Sequence, residues 1–136
     1  MSVSIPSSHK DLLEKPVVVT LVTVMPDGQP QATPVWCDFD GKYVRINTAR
    51  GRQKDTNLKE RACATILAID PQNPYRWMEI RGRVAHETEE NAVEHINALS
   101  AKYRGERDYY ANNPSMRGKE TRVTFAIEPI RVNAAG

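Results

Sequence analysis

Residues 48–61, TARGRQKDTNLKER, set five cationic side chains (Arg50, Arg52, Lys54, Lys59, Arg61) against two anionic ones (Asp55, Glu60). The segment is therefore +3 in a 136-residue chain whose formal net charge is +2, which leaves everything else at about −1. The chemistry such a cluster can do is to hold an anion. Arginine offers a fork of donors and lysine a compact point charge. A helix expected over 53–61 would add unpartnered N–H groups at its start, and Gly51 lets the backbone approach closely. The same pattern suits a solvated, charged helix start, and the charge alone does not decide between the two.

Other chemistries lack their parts. There is no Walker loop, no G-x-G-x-x-G and no G-x-S-x-G elbow. His9, His86 and His95 are scattered without metal-ligand spacing, so all three are expected at the surface and no metal site is expected. Cys37 and Cys63 sit in separate apolar stretches without C-x-x-C spacing, and both are expected to be buried free thiols. Trp77 shares a strand face with Glu79, Arg81 and Arg83, which fits an interface, a planar ligand, or a rim position under the 70–76 loop. Trp36, in TPVW, is equally open.

The elements that must position these residues read mainly as strands. Residues 8–15 predict a short helix, capped by Ser7 or Ser8, anchored by Leu12 and Leu13 and ended by Pro16. VVVTLVTVM at 17–25 predicts an interior strand, and PDGQ a turn with Gly28 at positive φ. PQATPVWCDF predicts a second strand, interrupted or at an edge at Pro34. Asp40-Gly41 marks a hairpin into KYVRINT, with Val44 and Ile46 on one face. ACATILAI at 62–69 and RWMEIRGRVAHE at 76–87 continue as strands, the latter with Met78, Ile80 and Val84 on one face. A helix follows to about Tyr103, capped by Thr88, with Val93, Ile96, Leu99 and Tyr103 as its buried stripe. Residues 104–119 are irregular with a helical turn. TRVTFAIEPIRV closes the chain with Val123, Phe125 and Ile127 inward. Six or so antiparallel strands with a few outer helices predict a mainly β fold, a small barrel with peripheral helices.

The length suits one domain over 1–136 with a single core. A pI near 8.6 is too mild to point to nucleic acid. The N-terminus shows no secretory pattern and no stretch is apolar enough to span a bilayer, so a cytoplasmic protein is expected.

The motifs T-x-x-x-D-G-x-P, T-P-V-W, N-T-A-R-G-R-x-K-x-x-N-L and I-R-G-R-V, taken together over residues 8–132, resemble the flavin/deazaflavin oxidoreductase superfamily with the split β-barrel of pyridoxamine 5′-phosphate oxidase. Within it, the resemblance is to the subgroup that uses the deazaflavin F420. It implies an FMN-binding-like split barrel, and that Arg52 and Lys54 hold the cofactor phosphate with Arg50 and Asn57 nearby. It implies that Thr33, Pro34, Val35 and Trp36 run beside the ring through their backbone, and that Asn47, Thr48 and Ala49 line the same groove. It further implies a homodimer with cofactors at the subunit interface, where Trp77 reaches the partner's cofactor.

No catalytic side chain is expected, because the cofactor carries the hydride and the protein binds and orients. The expected function is an F420-dependent reductase of a small unsaturated organic molecule. The alternatives are an FMN-dependent oxidoreductase and a non-catalytic FMN or F420 carrier, and a nucleic-acid module is weakened by the near-neutral remainder. Arg50 and Arg52, extended by Lys59, Arg61 or Arg81, are expected to form a cationic track for the acidic F420 tail. Pyridoxamine phosphate oxidases proper have a longer C-terminal part with substrate-binding arginines. The chain here runs only to RVNAAG, so pyridoxamine phosphate is not the expected substrate.

Overall fold

Alternating apolar residues build the protein as one antiparallel sheet. The computed structural model describes residues 2–136. Its strands are β1 (Val19–Val24), β2 (Pro30–Val35), β3 (Cys37–Phe39), β4 (Val44–Ala49), β5 (Cys63–Asp70), β6 (Asn73–Thr88) and β7 (Arg122–Ala135). Helices α1 (Asp11–Glu14), α2 (Gln53–Glu60) and α3 (Ala92–Arg104) and two 3-10 turns, Tyr109–Asn112 and Pro114–Met116, complete the fold. The spatial order is β2-β1-β5-β6-β7-β4-β3. The expected mainly β split barrel is thus observed, with seven strands because Trp36 divides the second predicted one.

That division explains both the closure and the split. β2 and β3 are the two edges of the sheet, yet only Trp36 lies between Val35 and Cys37. Two residues reach at most about 7 Å, so the sheet must curl until its edges meet. The two edge strands are successive pieces of one run of chain and pair only with β1 and β4 respectively. The barrel closes without a ladder across its seam. Pro34, which has no N–H, sits on an edge strand where none is needed.

Inward side chains fill the barrel. Val19, Leu21, Val44, Ile46, Ile66, Met78, Ile80, Val123, Phe125 and Ile127 are at most 1% exposed. Burying each such side chain is worth about 1.5–3 kcal/mol. Leu12 and Leu13 of α1 and Leu58 of α2 enter the same core.

Several local expectations are corrected. Neither Ser7 nor Ser8 caps α1: Lys10 precedes it in helical conformation, and Ser8 Oγ bonds His9 Nδ1 at 2.8 Å. His9 is buried, its Nε2 2.8 Å from the Ala135 carbonyl oxygen, because the N-terminal segment packs on the end of β7. Thr88 accepts from the Glu90 N–H in a turn, and α3 begins only after Asn91, whose φ is 60°. Val93 falls outside the buried stripe of Ala92, His95, Ile96, Leu99 and Ser100 and is 43% exposed, while Ile96 and Leu99 are buried as expected. Cys37 is buried and free as expected, but Cys63 is exposed, since it points outward at the start of β5.

β6 and β7 run long and are bent by irregular pairing between Arg81 and Gly82, where Gly82 faces Pro129. A Cβ at Gly82 would lie 2.5 Å from Ile127 Cγ2 and 2.8 Å from the Glu128 carbonyl oxygen. Gly82→Ala is therefore expected to lower stability by about 1–3 kcal/mol, measured by urea unfolding. An unchanged midpoint would show that the two strands separate freely here.

Candidate functional site

The seam where the barrel's edges meet is covered by α3. Tyr103 reaches across it: its hydroxyl donates to the Val17 carbonyl at 2.7 Å and accepts from the Cys37 N–H at 3.1 Å. Lys102 Nζ donates to the carbonyls of Leu13 and Cys37 at 2.6 and 2.7 Å. The Tyr103 ring stacks on Trp36 with centroids 5.3 Å apart. The Arg104 guanidinium lies over Trp36 and over Tyr109, at 5.4 and 5.3 Å from their centroids. These contacts fix the kink at Trp36, and one side of it becomes the wall of a cavity.

The cavity holds about 290 Å³. Pro34, Val35 and Trp36 form its strand wall, and Ile96, Leu99 and Tyr109 face them. Arg52, Lys54, Arg122 and Asn47 supply its polar end. Lys54 makes no hydrogen bond or ion pair with any described residue and is half-buried. Burial, then repulsion from Arg52 and Arg122, holds its ammonium below the ordinary lysine range. Three cations converging on one cavity form a seat for an anion, and a multiply charged oxyanion such as a phosphate suits their donors.

The cationic end is braced from behind. Arg122 is 3% exposed, and its Nε donates to Asn47 Oδ1 at 2.9 Å. Asn47 Nδ2 donates to the Ala92 carbonyl at 2.8 Å and lies 3.2 Å from His95 Nδ1. His95 Nδ1 also meets Thr124 Oγ1 at 2.9 Å, and its Nε2 lies 3.1 Å from Asp38 Oδ2. Arg45 pairs with Asp38 at 2.8 Å. Burial alone would raise the Asp38 carboxyl, but His95 and Arg45 hold it below the usual carboxylate range. A Thr–His–Asp sequence suggests a nucleophile and its base, yet Thr124 and His95 are 7% and 6% exposed, so no substrate reaches them. The network orients Asn47 and Arg122. His95 is thus not a surface residue: it lies one helical turn before Leu99 on the face that α3 turns to β4 and β7.

Pro34, Val35, Trp36, Asn47, Arg52 and Lys54 of the expected site line the cavity. Thr33 lies one residue outside it on β2. Thr48 points into the barrel alongside Val44 and Ile46, and its Oγ1 is the buried side-chain polar atom left without a partner among the described residues. Ala49 is buried at the end of β4. Arg50 turns away: it pairs with Asp55 at 2.9 Å, Glu89 at 2.9 Å and Glu87 at 3.3 Å. Asn57 is fully buried and spends its polar atoms on Thr23, Gln53 and Arg61. Trp77 stands elsewhere on the outer face of the sheet, away from the cavity, in a hollow with Thr20, Val22, Thr65, Leu67, Ile69 and Glu79. Of the residues expected to extend a cationic track, Arg61 donates to the Val24 carbonyl at 2.6 Å and Arg81 pairs with Glu79 at 3.3 Å, while Lys59 is exposed on α2. Val18, Ile96, Leu99, Tyr109 and Arg122 line the cavity without having been expected there. Among the described residues no group of three or more His, Cys, Asp or Glu side chains is placed to hold a metal, and no helix is long and apolar enough to cross a membrane.

The family model described as pyridoxamine 5′-phosphate oxidase matches residues 5–135. Among solved structures, an F420 reductase is similar at 31% identity, over 95% of this chain and 98% of its own, with a TM-score of 0.81. A conserved hypothetical protein from Mycobacterium tuberculosis is similar at 23% identity, over 98% of this chain and 86% of its own, with a TM-score of 0.77. The heme storage protein HutZ from Vibrio cholerae shares the fold at 12% identity, over 98% and 96% of the two chains, with a TM-score of 0.70. Among curated proteins none matches significantly.

The seam contacts carry a measurable load. Tyr103→Phe leaves the Cys37 N–H and the Val17 carbonyl without the hydroxyl, which is expected to cost about 1–3 kcal/mol in urea unfolding. A variant as stable as the parent would mean that α3 does not hold the seam.

Proposed function

Because the chain belongs to the pyridoxamine 5′-phosphate oxidase family, we propose that it is an oxidoreductase working with a flavin-type cofactor, specifically the deazaflavin F420, on a small unsaturated organic substrate. The observation that carries this reading is the convergence of Arg52, Lys54 and Arg122 at one end of a cavity whose walls are otherwise aromatic and apolar. The residues fit such a group: the cations suit a phosphate, and the strand wall and Tyr109 suit the flat ring beside it. When bound, the cofactor supplies the hydride chemistry.

The chain's own residues bind, orient and exclude water. Lys54 and Arg52 take the phosphate. Asn47 and His95 keep the Arg122 guanidinium turned to the same end. β2 is an edge strand, so the outward backbone of Val35 and Trp36 is available to the polar rim of a ring. The likeness to an F420 reductase supports the deazaflavin. The pairing of Arg50, Arg61 and Arg81 with groups of the protein itself favours the FMN reading, since an acidic tail would find few free cations beyond the phosphate.

Titration with F420 and FMN at low and high ionic strength tests the assignment. F420 is expected to bind more tightly, with affinity falling as salt screens the exposed charges. Arg52→Ala and Lys54→Ala are each expected to weaken binding roughly tenfold or more, by loss of about 1.5–3 kcal/mol, with Lys59→Ala much less affected. FMN binding at least as tightly would transfer the reading to an FMN enzyme. Equal losses at all three positions would reduce the seat to general electrostatics.

The outer sheet face supports a homodimer. Val22, Leu67, Ile69 and Trp77 form one apolar hollow there, and Ile69 is 42% exposed. Apolar area of this kind is normally covered, and a second copy would cover it while bringing Trp77 toward the partner. Light scattering is expected to give twice 15.3 kDa at micromolar concentration. A monomer with cofactor bound would exclude the shared arrangement.

A further inference from the structure

The cations of the phosphate seat are partly claimed by the protein's own carboxylate. Glu120, just before β7, accepts from Arg52 Nη2 through Oε2 at 3.1 Å. Its Oε1 accepts from Arg122 Nη1 at 3.1 Å and from the Tyr110 hydroxyl at 2.9 Å. The side chain of Glu120 is 12% exposed and that of Arg122 2%, whereas that of Arg52 is 48% exposed. The inner contacts are therefore fixed and the outer one exchangeable. Glu120 lines a second cavity of about 250 Å³, which backs onto the first across Arg52 and Tyr109. Although burial acts to raise it, Tyr110, Arg122 and Arg52 keep this carboxyl below the ordinary range, so the negative charge persists beside the seat.

Resting on the phosphate reading above, we propose that Glu120 is a charge filter: it withholds part of Arg52 and Arg122 from the ligand, and so narrows the advantage of a doubly charged phosphomonoester over a singly charged phosphodiester. The reason is that Coulomb repulsion from one fixed carboxylate scales with the charge of the ligand. A dianion at the seat meets twice the repulsion of a monoanion in the same place. Lys54, which no carboxylate pairs, is left to hold either. Phosphodiesters of the ring–ribityl type gain relative to free monoesters, which is the distinction between a cofactor that continues past its phosphate and one that ends there.

Three probes with one ring isolate the effect: riboflavin, FMN, and the methyl ester of FMN, whose phosphate keeps a single charge. In the unsubstituted protein at pH 8 both phosphates are expected to bind more tightly than riboflavin. Glu120→Gln retains an amide oxygen for Tyr110 and Arg122 and removes the charge. It is expected to raise affinity for FMN on the order of tenfold and for the methyl ester about threefold, the logarithms standing as the two charges. Glu120→Ser, which vacates the position, repeats the comparison should the amide variant not fold. Equal gains for the two phosphates, or no gain, would overturn the filter while leaving the phosphate seat intact. Phosphates that bind no better than riboflavin would overturn the seat and the filter together.

Discussion

One residue joins the two edges of the sheet, and most of the structure follows from it. With only Trp36 between β2 and β3, an open seven-stranded sheet is sterically impossible, so the sheet must roll up. Because the same run of chain supplies both edges, they cannot pair, and the seam needs another fastening. α3 provides it through the Tyr103 hydroxyl and the Lys102 ammonium, each spent on backbone groups around Cys37 and on α1 or the segment ahead of β1. A hydroxyl and an ammonium half-buried this way are costly without partners and held firmly with them. The cavity lies where that fastening leaves a gap, so its position follows from the topology rather than from any one loop.

Its chemistry sets convergence against cost. Bringing Arg52, Lys54 and Arg122 together is unfavourable in the folded protein, and burial, then repulsion from the two arginines, holds the Lys54 ammonium below the ordinary lysine range. The fold offsets the cost in two ways. Glu120 neutralises part of the group at short range, and the Asn47–His95–Asp38–Arg45 chain holds Arg122 in place by hydrogen bonds. What remains is one lysine without a counter-charge and one arginine half-exposed. The positive charge stays confined to this end of the cavity and does not make the surface generally basic, in keeping with a net charge of only +2.

The strands were legible because most alternate cleanly: Val44 and Ile46, Met78 and Ile80, Val123 and Phe125 all face inward as their period requires. The seat was half legible. Arg52 and Lys54 stand out in a charged cluster, but Arg50, with the same charge two residues earlier, is bound to carboxylates from distant β6 and the turn after it. Locally they differ only in that Asp55 pairs with Arg50, which the charge pattern alone does not reveal. Arg122 follows from the same alternation that places Val123 inward, which sends Arg122 and Thr124 to the face under α3. His95 shares that face through its one-turn spacing to Leu99, a signal present in the sequence but outweighed by its polarity. Tyr109 comes from an irregular segment with no period, and only the folded chain shows it opposite Trp36.

The chain has two tryptophans, and the fold assigns them to different surfaces. Trp36 lies in the wall of the cavity, stacked on Tyr103, while Trp77 lies in the apolar hollow on the outer face. Their indoles are therefore separate optical reporters. Emission from Trp36 responds to whatever absorbs or stacks inside the cavity, and the emission maximum of Trp77 responds to whether its hollow is wet or dry. Replacing either by phenylalanine leaves a protein with a single tryptophan, so that, with excitation that selects tryptophan over the five tyrosines, one variant reports on the cavity and the other on the outer face.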